Sequence, residues 1–135
     1  MTMAHAALGA AIGHAAPSLP AGVARAFAAH AILDLPAHAD LELEQEAVST
    51  LSACGLCAVL FGLRSREFWG AFACSAPDLE HVFGRGRKRR KWYPTHRYAS
   101  LHNLVPTPTL SAPVQIGLAV VVLGAVARRR RASGR

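Results

Sequence analysis

An all-α fold is predicted, a small helical membrane bundle of about five helices with some of them short or half-inserted, and three observations predict it. Hydrophobic residues make up 52% of the 135 residues and charged residues 17%, against about 25% charged in an ordinary soluble domain. Uncharged stretches at 47–63 and 104–127 reach the ~17–25 residues needed to cross a hydrocarbon core. The 15 Lys and Arg residues are bunched, chiefly at 85–97 and 128–135, as charged flanks beside apolar spans are.

Taken in order, residues 4–15 are rich in Ala and Gly and read as a short helix closed by Pro17-Ser18-Leu19-Pro20. This region has no basic leader and carries His5 and His14, so it is expected to be retained, not cleaved as a signal. A second helix over 21–34 returns. Its His30, Asp34 and His38 are four apart, which on a straight helix would stack three donors on one face. Pro36 divides that stripe, because it lacks an amide hydrogen and pushes Leu35 out of helical dihedrals. The helix is therefore expected to kink or end near Asp34, with His38 and Asp40 beyond.

The acidic residues of 40–46 suit the positive end of a third helix, which continues into the uncharged 47–63 span and stops at Arg64-Ser65-Arg66. A shorter apolar helix over 67–76 is ended by Pro77, and Asp78, Glu80 and His81 form a polar turn. A basic stretch at 85–91 leads to Trp92, Tyr93, His96 and His102. The Pro-Thr-Pro linker at 106–108 precedes a last span, whose helical part should begin near Pro113 and which Arg128 to Arg131 anchor at an interface. This gives a single helical membrane domain at 1–127 and a basic tail at 128–135.

If short turns make neighbouring helices antiparallel, then His5, His30, Asp34, His38, Asp40, Asp78, Glu80, His81, His96 and His102 share one end of the bundle, and His14 falls at the other. Histidine and carboxylate without thiolate suit zinc or manganese in a hydrolytic site, with room for one or two ions and zinc expected. The expected metal ligands are His5, His30, Asp34, His38, Asp78, His81, His96 and His102. Glu80 or Asp40 is the expected general base, and Arg97 would neutralise charge developing on a phosphoester.

Cys54 and Cys57 have the spacing of a redox or metal pair but lie midway along an uncharged span, and with Cys74 they read as small buried thiols. The basic run before Trp92 and Tyr93 reads as an interfacial anchor for anionic lipid in preference to a nucleic-acid site. Seven Lys and Arg on the ligand side face eight on the other, a narrow margin that puts the C-terminus in the cytoplasm. Oligomeric state is left open.

Together these motifs resemble the membrane-bound metal-dependent hydrolase family of small bacterial and archaeal membrane proteins, itself distantly similar to zinc-dependent phospholipase C. The family's N-terminal histidine looks like His5, its histidine, aspartate and Pro-His segment looks like His30 to Asp40, and its "PDxDH" box looks like Pro77-Asp78-Leu79-Glu80-His81. Its later histidines look like His96 and His102. Glu80 stands where the box has aspartate, Asn103 stands where better-known members have serine, and the order of the motifs is that of a separate branch. The resemblance implies a metal-dependent hydrolase of the prokaryotic cell membrane, acting on a lipid or phosphate ester. The alternative from another class is a non-catalytic membrane scaffold or subunit that uses the same polar cluster structurally.

Overall fold

Small residues decide how these helices meet. The computed structural model describes residues 2–38, 42–80, 91–98, 101 and 104–134. Among them are six α-helices: α1 (Thr2–Ala15), α2 (Leu19–Leu33), α3 (Leu43–Phe61), α4 (Arg66–Ser75), a single turn α5 (Pro94–Arg97) and α6 (Ala112–Ala132). At the crossing of α1 and α4, a Cβ on Gly9 would strike the Gly70 carbonyl and lie 2.6 Å from Cys74 Cβ, and one on Gly70 would strike the Gly9 carbonyl. Gly13, one turn on, meets the Arg66 carbonyl in the same way. Backbones thus touch along the Gly9-x-x-x-Gly13 face, the close approach that small residues permit between helices.

The core around this crossing is also built from small side chains. Ala6, Ala7 and Ala10 of α1 pack with Ala53, Cys57 and Phe61 of α3, Ala71 of α4, and Ala119, Leu123 and Val126 of α6. A second cluster joins Ala26 of α2 to Ala73 and Cys74 of α4. Cys54, Cys57 and Cys74 are free thiols, the last two buried.

Local chemistry sets the boundaries. Ser18 caps α2 by accepting from the Ala21 amide at 3.4 Å, and Pro20 sits within the first turn of that helix, where its missing donor costs nothing. Ser65 caps α4 through the Phe68 amide at 3.0 Å. The α2 helix ends at Leu33 with Asp34 as its C-cap, as Pro36 requires. The span expected over 47–63 is shorter than read: its apolar helical part is Ala47–Phe61, because Gly62 takes a left-handed φ of 83° that ends the helix.

The helical reading holds, with two differences. The single turn α5 makes six helices where about five were expected. Two short strands, β1 (Pro36–His38) and β2 (Val105–Leu110), pair in parallel where no strand was expected. Prolines at 36, 106 and 108 favour extended backbone, and the missing amide hydrogens keep the pairing irregular. Its firm point is the Val105 amide donating to the Leu35 carbonyl at 2.8 Å, which brings the start of β2 to the end of α2.

Among the described residues α6 is the one helix long and apolar enough to cross a membrane. It continues through Arg128 to Arg131 before ending at Ala132.

Candidate metal centre

Three α-helices and a 3-10 turn deliver ionisable side chains to one end of the bundle. His5 comes from the first turns of α1, and His30 from the last turn of α2 with Asp34 as its cap. Asp78 closes the 3-10 turn after α4, and His96 lies in α5. His30 is 0% exposed, Asp34 1% and His5 2%, so these charges or dipoles must find partners within the protein.

The donors are committed outwards. His30 Nδ1 is 2.7 Å from the Cys74 carbonyl, which can only accept, so this nitrogen carries the hydrogen and Nε2 faces the cluster. His96 Nδ1 lies 2.5 Å from Glu80 Oε1, and the same logic turns its Nε2 inwards. The two Nε2 atoms are 3.3 Å apart. His30 Nε2 is 3.2 Å from Asp34 Oδ2 and 3.5 Å from Asp78 Oδ1. His96 Nε2 is 3.5 Å from each of those oxygens.

Both Nε2 atoms thus lie between the Asp34 and Asp78 carboxylates, and positive charge is needed among them, as protons on the imidazoles or as a metal ion. The buried groups His5, His30, Asp78 and His30, Asp34, His96 each bring ligand atoms close enough to hold one. The outer oxygens of both carboxylates face His5: Nε2 is 3.5 Å from Asp34 Oδ1, and Nδ1 is 3.2 Å from Asp78 Oδ2. One ring thus spans the two acids.

Electrostatics follow the geometry. Burial works against ionising Asp34, but hydrogen bonds to His30, His96 and Thr95 hold its carboxyl well below the ordinary range. Asp78 is likewise held down against burial by His5 and His96. The reverse applies to His96, where burial opposes the charge and the bonds to Asp34, Asp78 and Glu80 outweigh it, raising it to about 9. The carboxylates are in the form a metal needs, and His96 binds a metal only by giving up a proton.

No family model, curated protein or solved structure matches this chain. The family resemblance rests on the motifs alone.

Of the residues singled out from sequence, His5, His30, Asp34, Asp78, Glu80 and His96 come together here. Glu80 has both oxygens engaged, Oε1 with His96 and Oε2 with the Trp92 amide at 2.9 Å. Arg97 is exposed, and its guanidinium lies 5.2 Å from the centroid of the Tyr98 ring. Asp40, His81 and His102 lie outside the described residues, as do residues 85–90 of the basic stretch and the side chain of His38.

Two contributors went unread in the sequence. Thr95 donates to Asp34 Oδ2. Tyr93, read as an interfacial anchor, is buried edge-on to His30 at 4.9 Å between ring centroids, and burial raises its phenol to about 12. Its hydroxyl donates to the Phe27 carbonyl at 2.8 Å and accepts from the Ala31 amide at 3.1 Å. Pro94 directly after Tyr93 was the available signal, since proline at the start of a helix sets the turn that presents Thr95 and His96 together.

Proposed function

We propose that the cluster is a divalent-metal centre, with zinc the best fit, in a membrane protein of hydrolase type. The observation that carries this reading is that His30 Nε2, His96 Nε2 and Asp34 Oδ2 lie 3.2–3.5 Å from one another, with Asp78 Oδ1 3.5 Å from both nitrogens. Ligand atoms at about 2.0–2.1 Å from a tetrahedral zinc stand about 3.3–3.4 Å apart, the spacing of this His30, His96 and Asp34 triad. Two carboxylates also neutralise a divalent charge, which suits an apolar surrounding.

A metal ion bound here supplies Lewis-acid chemistry, activating water and polarising an ester or phosphoester. The protein's own part is positioning. The Cys74 carbonyl and Glu80 fix the tautomers of His30 and His96, Thr95 holds Asp34, and His5 spans both acids, the outer support that metal ligands commonly have. Glu80 is thereby assigned an orienting role in place of the general base expected of it. The motif resemblance adds weight to metal-dependent hydrolysis.

Membrane insertion is supported by α6, of whose most apolar 18 residues only 22% are buried. The core helix of a soluble protein would be mostly covered. Val59 and Leu63, at and just beyond the end of α3, and Val120 and Val121 on α6 are at least three-fifths exposed, a surface suited to lipid.

Metal content of detergent-purified protein tests the centre. Wild type should hold metal, and Asp34→Ala and Asp78→Ala should lose it. Unchanged stoichiometry in both variants would sink the proposal. A second reading, a structural metal in a non-catalytic scaffold, is favoured by how deeply His30 and Asp34 are buried. It predicts that a chelator lowers the melting temperature of a protein that hydrolyses no ester.

A further inference from the structure

Next to the centre lies a cavity of about 270 Å³ between α1, α6 and the end of α2. Leu8, Leu33, Leu118 and Val122 supply its apolar walls, and His5 and Gln115 also line it. His5 is the same ring that faces Asp34 and Asp78, so the cavity and the cluster share a residue. The space exists because facing positions carry alanine: Ala4 on one wall and Ala119 on the other.

Water is a poor occupant of such a space, since it needs polar partners, whereas apolar cavities take up hydrocarbon. At roughly 30 Å³ per water-sized group, the volume accommodates about nine such groups, the bulk of a medium-length alkyl chain. One wall belongs to α6, the helix able to cross a membrane. Leu118 on that wall is 51% exposed, so the cavity borders the surface that would meet lipid.

We propose that this cavity holds the hydrocarbon chain of a single-chain amphiphile whose polar group reaches the His/Asp cluster past His5. The chain site follows from the cavity itself; the role of the polar group as substrate rests on the metal-centre reading above. A fatty-acyl or alkyl ester is the substrate class this arrangement takes, with its apolar part lodged between α1 and α6 and its ester at the cluster. Burying each methylene contributes about 0.8 kcal/mol, a factor of about four in affinity, so selection for chain length comes from the cavity.

The full chain in lipid nanodiscs, with metal content measured in parallel, is photolabelled with two ten-carbon probes that carry a diazirine near the chain end. One probe is a hydroxamate and the other an alcohol, and adducts are mapped by mass spectrometry. Adducts at Leu8, Leu118 or Val122 are expected with both probes, at least ten-fold weaker in Ala119→Phe, with metal content unchanged. Ala4→Phe blocks the opposite wall and should give the same loss, so misfolding of one variant leaves the other to decide. Adducts confined to the outward Val120 and Val121, or insensitive to both substitutions, overturn the proposal even where metal is bound in full. Cavity labelling by the alcohol in protein that binds no metal supports the chain site while removing the metal centre.

Discussion

At the Arg66 end of the bundle, Glu67 meets His14 at 2.9 Å and feels the nearby Arg130. Arg66 donates to the Ala16 carbonyl beyond α1, and Arg130 donates to the Phe61 carbonyl at 2.5 Å. Each polar group there ties one element to another. At the His5 end, by contrast, Asp34 and Asp78 share imidazoles that point at the same place, and Glu80 faces the outer nitrogen of one of them. Both ends bury ionisable residues in a small apolar protein, so burial alone does not mark a functional site. What distinguishes the His5 end is that its ligand-type atoms lie close enough together to hold a metal ion.

The largest effect should separate the two ends outright. Asp78→Asn removes a carboxylate charge from the cluster and leaves a neutral, weaker amide ligand, so it is expected to abolish metal binding, whereas Glu67→Gln should leave metal content as in wild type. Loss of metal from both, or from neither, would erase the distinction. Where free metal stands ~1,000-fold above its dissociation constant, binding stabilises the fold by about 4 kcal/mol, so a chelator should lower the melting temperature of wild type and Glu67→Gln but not of Asp78→Asn.

Next in size is the spacer that sets the two ends apart. Gly70→Leu forces a side chain into the Gly9 carbonyl, and overpacking of this kind costs about 3 kcal/mol, sometimes more. Thermal melting checks it. Because the α1 to α4 crossing also fixes His5 relative to Asp78, metal affinity should fall with stability; a variant with wild-type melting would show that the crossing can slide.

Much of this contrast is legible in the residues themselves. Prolines at 36 and 77 mark where α2 and α4 must stop, and alternating direction then brings His5, Asp34, Asp78 and His96 to one end and His14 to the other. What escaped notice depends on partners far along the chain. Gly9 and Gly13 are four apart, a helix-contact spacing, but that they meet Gly70 depends on how two helices cross. Tyr93 belongs with Trp92 in an aromatic pair that looks interfacial, and only the approach of α2 makes it a wall behind His30. The β1–β2 pairing joins segments about 70 residues apart, beyond the reach of local pattern. The 47–63 run reads longer than its helix because a glycine within an apolar run gives no sign of whether its φ is positive.

A smaller effect sharpens the comparison within the metal end. Among the described residues Glu80 touches the cluster only through His96, so Glu80→Gln keeps the fold and the ligands while weakening the orientation of one of them. Loss of a hydrogen-bond partner behind a ligating histidine costs about 10–100-fold in metal affinity, read by competition with a chromophoric chelator. An affinity loss as large as that of Asp78→Asn would make Glu80 a ligand and redraw the site.

The smallest expected effect concerns pH at the Arg66 end. Burial opposes ionisation of Glu67, but the His14 hydrogen bond, a backbone hydrogen bond and the charge of Arg130 outweigh it and hold the carboxyl below its ordinary 4.5. A carboxyl depressed in the folded state contributes stability that is fully present above the unfolded value and is lost as pH falls through the folded one. Wild type should therefore exceed Glu67→Gln by on the order of 1–2 kcal/mol at neutral pH, and the two should converge below pH 4.5. Metal must be removed from both before the titration, since protons compete for the carboxylates and imidazoles at the other end and their loss of metal would mask the Glu67 effect. A difference that stays constant down to low pH would mean that Glu67 is held by packing and not by its charge, and the Arg66 end would then be a neutral polar seam.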